Sequence, residues 1–501
     1  MATRCAIRPG AYFDSVVLMR VAAEIGDLPG VRIASLVMAT PANKAVLADA
    51  GLLTPDAQAA GPSDLVIAVD GDDEALDSAI AAADEALSAR GAPSGDDGPN
   101  PIRPRSLAQV DAGLALISTP GRYAAAEAMK ALRRGMSVFM FSDNVPVEQE
   151  CELKREAHAR GLLVMGPDCG TALVDGVPLG FANNVRRGNI ALVGASGTGL
   201  QQVSTLIHRW GGGVSQIVGV GSRDLSAEVG GISMIDTLDA LSSDPDTGVI
   251  VLVSKPPHPR VAAQVLERSE AVGKPVVAAF LGGERLGARG EVEVVSTLED
   301  AARAALVAAG GSPPEVSSAV STDRPSHNGG RRLLRALYAG GTFAYEAKAL
   351  LGPRIALAAD GAMPAGARRE PELPGEHLVL DLGADEFTVG RPHPMIDPAV
   401  RLEMLRAAGA DPRTLVIVLD IVLGHGAAAD PAGDLAPLIS SIAAGDDAPE
   451  IVAFVVGTDA DPQGLERQEA TLRDAGARLA ASSTDAARLV TGILALEEAV
   501  L

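Results

Sequence analysis

Residues Asn189–Ile207 read NIALVGASGTGLQQVSTLI, and the change of character along this stretch decides the fold. Asn189 to Val193 (NIALV) is an apolar run of strand length. A turn of glycine, serine and threonine follows, and a helix is predicted from about Gly199 to Trp210. A buried strand that hands over to a helix in this way is the repeating unit of a sheet covered by helices. The turn itself, Ser196-Gly197-Thr198, aims free N–H groups and the positive end of the helix dipole at one point. Such a point holds an anion, typically phosphate or a carboxylate. Glycine lets the backbone approach closely, and the hydroxyls add donors. No lysine follows in Walker A spacing. The same residues also suit a serine or threonine N-cap with no ligand, and spacing alone leaves both readings open.

Strand–helix alternation continues on either side. Upstream, Val31 to Met38 and Asp64 to Val69 are predicted strands, and Asp72 to Arg90 is a predicted helix with acidic residues in its first turn. Gly91 to Arg105 is dense in glycine, proline and charge and reads as a linker or long exposed loop. Strands at Leu114–Ile117, Val138–Phe141 and Leu162–Met165 then alternate with helices at Tyr123–Arg134 and Val147–Arg160, a doubly wound, Rossmann-like module. Downstream, Gln216–Val220, Val249–Val253 and Val276–Phe280 are strands. Gly310 to Gly330 is a polar linker, and further strands lie at His377–Leu382, Leu415–Leu419 and Ile451–Val456. The chain thus divides into units at 1–98, 106–188, 189–310 and 331–501.

An internal repeat crosses the second linker. GASGTGLQQVSTLI from Gly194, MID at Met234 to Asp236 and DPDTGVIVL from Asp244 recur in order. Their counterparts are YAGGTFAYEAKALL from Tyr338, MID at Met395 to Asp397 and DPRTLVIVL from Asp411. The last pair matches at seven of nine positions. Gly340-Gly341-Thr342 therefore repeats the Ser196-Gly197-Thr198 turn before a second helix. Two such helix starts in related units point to one shared anion site, provided the starts meet.

Composition narrows the function classes. The 501 residues carry a net charge of −22, which argues against a nucleic-acid partner. Aromatic residues make up only 3%, so the cores must be built from Ala, Val, Leu and Ile. Cys5, Cys151 and Cys169 are scattered, which excludes a disulfide scaffold and a thiolate zinc knuckle, and no metal site is predicted. MATRCAIRPG lacks the apolar core of a signal peptide, and no apolar run approaches a membrane span. A cytoplasmic α/β protein without a membrane partner is expected.

Several motifs resemble the succinyl-CoA synthetase α-subunit family. Asn189 to Leu200 resembles its strand and phosphate loop, and Gly166-Pro167-Asp168-Cys169-Gly170 its GPNCPG turn. Ser118-Thr119-Pro120 and Ser142-Asp143-Asn144-Val145-Pro146 match the two strand-end loops that contact CoA in the family. GVGSRDL from Gly219 and the segment from Asp244 fit its ligase domain. NKAVLADAGLL from Asn43 and HPMIDP from His393 resemble the FdrA branch, a fused form with two ligase-type domains in one chain. The resemblance implies an N-terminal α/β unit, a Rossmann-like CoA-binding-type domain and two flavodoxin-like ligase-type domains. It also implies a CoA site at Ser118, Thr119, Pro120, Asn144, Val145 and Pro146, and a phosphate site at Ser196–Thr198 and Gly340–Thr342. Whether a nucleotide still binds is left open.

Two departures bear on mechanism. The family's phospho-histidine loop corresponds to Gly282 to Glu293, GGERLGARGEVE, which has no histidine. The family's glutamate that holds that histidine corresponds to Lys255. The usual phosphate relay through histidine is therefore not expected. The FdrA branch is associated with oxamate carbamoyltransferase in allantoin catabolism, in which phosphate cleaves oxalurate to oxamate and carbamoyl phosphate, and it usually works with companion subunits. The resemblance thus implies phosphate as co-substrate of acyl or carbamoyl transfer on a small-molecule substrate. An acyl-CoA synthetase and a non-catalytic CoA-binding scaffold subunit are the alternatives.

Lys255, His393 and His425 are the catalytic candidates. His393 lies in GRPHPMIDP beside Arg391 and Asp397, where prolines on both sides hold a loop that either presents the imidazole or is only a rigid turn. His425 in LGHGAAAD occupies a strand end, where open α/β sheets bind ligands, with Asp420 as an orienting acid. Lys255 and His258 sit at the equivalent strand end of the first repeat, and Arg223 and Asp224 are further contacts of this kind or solvated loop residues. Cys169 and the histidines at 158, 208, 327 and 377 read as structural or surface residues.

Overall fold

In the computed structural model, apolar runs and the helices between them assemble into four sheets among the described residues. The structure describes residues 2–494 apart from 12, 14, 27, 63, 92–106, 283–291, 316–329, 360–370, 389–391 and 446. Most of both predicted linkers, the histidine-free loop and Arg391 lie outside the described residues. By contacts the chain divides into Met1–Arg103 with Thr388–Pro392, and Pro104–Phe387 with His393–Leu501.

The first unit contains β1 (Ala2–Arg8), α1 (Ser15–Gly26), β2 (Val31–Met38), α2 (Pro41–Asp49), α3 (Pro55–Ala59), β3 (Leu65–Gly71) and α4 (Asp73–Gly91). Its sheet runs β1-β3-β2 with antiparallel pairing. Side chains alternate across the central strand. Leu65, Ile67 and Val69 pack with α1 and α4, whereas Val66 and Ala68 pack with Leu47, Leu52 and Ala57 on the other face. Thr40 and Thr54 cap α2 and α3, each followed by proline at the first helical turn. Thr3, Arg4 and Arg8 interrupt ATRCAIR and hide β1 from a reading by apolar runs.

The second unit begins with β4 (Leu114–Ile117), α5 (Gly121–Arg133), β5 (Ser137–Met140), α6 (Val147–Ala159) and β6 (Val164–Met165), a parallel sheet in that order. Next come β7 (Thr171–Val174), β8 (Val177–Gly180), β9 (Arg187–Gly194), α7 (Gly197–Arg209), β10 (Val214–Gly219) and α8 (Ile232–Ser243). They continue into β11 (Val249–Ser254), α9 (Pro259–Glu270), β12 (Val276–Phe280), β13 (Val292–Val295) and α10 (Leu298–Ala308). The chain then forms β14 (Leu333–Tyr338), α11 (Gly341–Leu351), β15 (Leu378–Asp381), α12 (Asp385–Thr388), α13 (Ala399–Ala410) and β16 (Thr414–Val422). It closes with α14 (Pro431–Ala443), β17 (Glu450–Val456), α15 (Leu465–Asp474), β18 (Arg478–Ala480) and α16 (Ser483–Ile493).

Strand order makes the repeat concrete. The larger sheet runs β13-β12-β11-β9-β10-β7-β8 and the smaller β15-β14-β16-β17-β18. Read from β9 and from β14, both have the flavodoxin-like order 2-1-3-4-5, whose ligand crevice lies between the first and third strands. Those strands are β9 and β11 in one repeat, β14 and β16 in the other. The β7–β8 hairpin adds antiparallel strands beside β10. Residues 171–180 therefore belong to the sheet of the first repeat, not to the β4–β6 sheet that precedes them.

The two repeats share a core. Val203 and Leu206 of α7, Ala301 and Ala305 of α10, Phe343 and Ala347 of α11 and Val490 of α16 fall in one buried cluster. Equivalent positions on α7 and α11 serve equivalent ends. Glu346 accepts from Leu298 N (2.8 Å) at the start of α10 and from Ser483 Oγ (2.5 Å) at the start of α16. Gln202, six residues past Ser196 as Glu346 is past Gly340, accepts from Ser483 N (3.3 Å). Buried side chains thus satisfy helix-start N–H groups that would be costly to leave unpaired.

Candidate functional site

The two predicted anion turns meet. Ser196 caps α7, its Oγ accepting from Gly199 N (3.1 Å), and the same hydroxyl lies 2.5 Å from Thr342 Oγ1 in the first turn of α11. A Cβ on Gly340 would stand 2.8 Å from Thr198 Cγ2. Ser196, Thr198 and Thr342 are buried. Among the described residues, the N–H groups of Gly197, Thr198, Gly341 and Thr342 have no protein acceptor. Four open donors and two hydroxyls therefore gather where the β9–α7 and β14–α11 turns face each other, an arrangement suited to an oxyanion.

Asp420 holds the second turn in place. Near the end of β16, it accepts from Ala339 N (2.8 Å) and Gly340 N (3.0 Å), and Arg401 pairs with it from α13. Both charges are buried; burial raises Asp420, opposed by Arg401 and these N–H groups. The orienting role expected of Asp420 toward His425 is thus overturned, because its two oxygens are committed to the turn. His425 lies elsewhere. Its N–H donates to Ala182 O (2.8 Å) and its Nε2 is 3.0 Å from Asn184 Oδ1. The cause is strand length: β16 continues to Val422, and Gly424 packs on Ala182, which carries His425 to the seam with the 181–184 segment.

His393 and Lys255 stand nearer the paired turns. A Cβ on Gly383 would meet His393 Nε2 at 2.5 Å and Ala339 O at 2.8 Å, so only glycine lets the β15 turn pass beneath the imidazole. His393 Nδ1 accepts from Met395 N (3.2 Å). Burial, with Arg401 nearby, pushes His393 down to about 4, so the ring is neutral at physiological pH. Lys255 is exposed just past β11, and its charge reaches Asp381 at the end of β15. Asp381 went unnoticed in the sequence. Its Oδ1 accepts from Gly383 N (3.0 Å), while its Oδ2 would be 2.3 Å from a Cβ on Gly341. Burial pushes this carboxyl up to about 6, Lys255 opposing. The only sequence signal was an acid at a strand end followed by Leu-Gly.

The proposed CoA loops lie at neighbouring strand ends. Ser118–Pro120 lead into α5 and Asn144–Pro146 into α6. Gly121 allows their contact, since a Cβ there would be 2.2 Å from Asp143 O. Asn144 adopts a left-handed φ of 53°, and Arg223 Nη2 donates to Val145 O (2.6 Å). Ring contacts run from these loops toward the paired turns. Phe141 is 5.6 Å from Phe181, and Phe181 is 5.8 Å from His393.

Other candidates have structural posts. Arg223 and Asp224 join a buried network: Lys154 Nζ donates to Asp224 Oδ1 (2.7 Å) and Val220 O (2.9 Å), and Arg223 pairs with Glu150. His258 precedes α9 at its N-cap without a side-chain bond. Cys169 donates to Gly219 O (3.3 Å), and burial pushes its thiol up to about 12, which removes it as a nucleophile. His208 accepts from Arg186 N (2.8 Å) and His377 from Leu334 N (3.0 Å), as structural residues do. His327 lies outside the described residues. Among the described residues no helix is long and apolar enough to cross a membrane.

Family profiles agree with this architecture. A CoA binding domain profile matches residues 185–282 and a CoA-ligase profile residues 337–493. The first match falls on the β9–β12 repeat, not on the 106–188 module to which the motif resemblance assigns CoA. A profile described as "AllF, heavy metal-associated domain" matches residues 1–101. The residues there do not fit a soft metal. Cys5 is the sole cysteine of that segment, which has no histidine, and its Sγ donates to Leu52 O (3.4 Å). Among the described residues no group of metal-ligating side chains gathers.

The chain is also similar to individual known proteins. The α subunit of ADP-forming succinate–CoA ligase from Methanothermobacter thermautotrophicus is 26% identical over 231 residues, covering 44% of this chain and 73% of the subunit. The dinucleotide-forming acetyl-coenzyme A synthetase 1 of Ca. Korarchaeum cryptofilum, solved with phosphate and ADP, aligns over 81% of this chain and 87% of its own at 17% identity and a TM-score of 0.35. The Escherichia coli K12 protein described as "Uncharacterized protein YahF" is 40% identical over 515 residues, 99% of this chain and 98% of its own. With that identity over its whole length, and with CoA-binding and CoA-ligase domains in succession, the chain belongs to the YahF family.

Proposed function

We propose that this chain is an acyl-CoA-ligase-like enzyme that holds phosphate, or the phosphoryl group of an acyl phosphate, between the starts of α7 and α11. The carrying observation is the meeting of Ser196 and Thr342, with four N–H groups left open around them. Acyl transfer between CoA and phosphate develops negative charge that fixed donors stabilise without rearranging. Gly197, Thr198, Gly341 and Thr342 supply the donors, Lys255 a positive charge at the rim, and neutral His393 a ring Nε2 beside Gly383. The loops at Ser118–Pro120 and Asn144–Pro146 would hold CoA, and the Phe141–Phe181–His393 ring series leads from them to the anion site. No imidazole is available in Gly282 to Glu293 to carry phosphate, so transfer is direct.

Thermal unfolding with inorganic phosphate and with CoA tests this, because a ligand of the native state raises its apparent stability. Both should raise the midpoint, and Thr342→Val should abolish the phosphate shift while leaving the CoA shift. Absence of a phosphate shift in the unaltered chain removes the reading. A second reading, in which phosphate attacks the carbamoyl group of oxalurate, oxamate leaves, CoA takes no part and companion subunits complete the enzyme, fits Lys255 at the glutamate position and the missing histidine. It requires carbamoyl phosphate to appear when the assembled subunits receive oxalurate and phosphate.

A further inference from the structure

We propose that Asp381 makes the anion site select phosphate over sulfate, by sharing one proton with the bound oxyanion. This rests on the phosphate-site reading above. Asp381 stands over the first residue of α11: a Cβ on Gly341 would lie 2.3 Å from its Oδ2, beside open donors of that helix start. Its other oxygen is pinned by Gly383 N at 3.0 Å, so the carboxyl is oriented. Among the described residues Oδ2 has no hydrogen-bond partner. An anion seated on the open N–H groups of Gly341 and Thr342 therefore meets a carboxyl oxygen. Two negatively charged oxygens tolerate such an approach only with a proton between them.

The source of the proton separates the two anions. Hydrogen phosphate brings its own across the neutral range. Sulfate brings none, so Asp381 must be protonated before sulfate fits. Among the described residues the groups facing Asp381 are Lys255 past β11, Lys348 on α11, Asp420 on β16 and, across Gly383, His393, with Arg401 behind Asp420. Burial outweighs the two lysines and the Gly383 N–H and puts the carboxyl at about 6. His393, at about 4, stays neutral where Asp381 titrates. Above this value the protonated fraction falls roughly tenfold per pH unit, and sulfate affinity falls with it.

The test measures dissociation constants of the full-length chain for inorganic phosphate and for sulfate near pH 5.5 and near pH 8. The preference for phosphate should grow at least roughly tenfold from the lower to the higher pH. Asp381→Asn keeps an acceptor for Gly383 and should remove that growth. A preference unchanged by pH, or a change that persists in the asparagine variant, overturns the inference while leaving the phosphate site intact. Binding of neither anion overturns both. Should the variant not fold, titration of the unaltered chain in buffers of different ionisation enthalpy decides: proton uptake near pH 8 must accompany sulfate and not phosphate.

Discussion

His393 shows how burial turns an ordinary side chain into a fixed-state group. Burial, and Arg401 nearby, push the imidazole down to about 4 in the folded chain, below its ordinary 6.5, because both disfavour its cation. A histidine depressed on folding contributes stability that is present above the unfolded value and lost as pH falls through the folded one. The expected loss between about pH 6.5 and pH 4 reaches about 3 kcal/mol. His393→Asn, whose side-chain oxygen can still accept from Met395 N, should flatten that acid limb. Urea unfolding near pH 7 and near pH 4.5 compares the two chains; an equal acid loss in both would show that another group is responsible. Asp381 acts oppositely. Its raised value means stability is lost as pH rises through about 6, so the two residues partly cancel between these limits.

Among the elements, buried side chains of α7 and α11 tie down the starts of α10 and α16. Ser482 caps α16 through Asp485 N (3.0 Å) and also donates to Glu299 Oε2 (2.6 Å) on α10. Ser482→Ala removes a cap and one of the two donors to Glu299 Oε2, leaving Arg488 Nη1 (3.0 Å), and together these losses cost about 2 kcal/mol. Chemical denaturation measures this, and a loss well below ~1 kcal/mol would mean that water replaces both bonds. The bond to Glu299 was invisible in the linear sequence, since Ser482 and Glu299 are 183 positions apart. The caps themselves were more readable: Ser196 stood out because a strand, a serine and a glycine-rich turn follow in order.

At the scale of the molecule, the repeats are joined through side chains of one chain. Asp461, buried beyond β17, accepts from Asn183 Nδ2 (2.8 Å), Asn184 N (2.7 Å) and Thr458 N (2.8 Å). Asp461→Ala leaves several buried donors unpaired and should cost about 3 kcal/mol, again read by denaturation; a near-neutral variant would show that the seam reorganises freely. Because the α7 and α11 starts meet within one chain, phosphate should bind once per chain, with an affinity independent of protein concentration. Isothermal titration across a wide concentration range checks both. A stoichiometry of one per two chains would place the functional pair of turns between subunits.

Local order was enough for much of this protein. Apolar runs such as NIALV and VIVLVS announce buried strands because helices cover both faces of their sheets, and the recurrence of DPDTGVIVL as DPRTLVIVL announces that one unit was built twice. The two glycine–threonine turns were legible for the same reason: helix starts need particular residues in a short, contiguous pattern. What only the three-dimensional arrangement decided was company. Ser196 beside Thr342, Asp420 on the α11 turn instead of beside His425, and Asp381 over Gly341 all join residues distant along the chain, and their neighbours depend on strand order and strand length. Desolvation follows from that packing, so the altered protonation of His393 and Asp381 was beyond the reach of any local pattern.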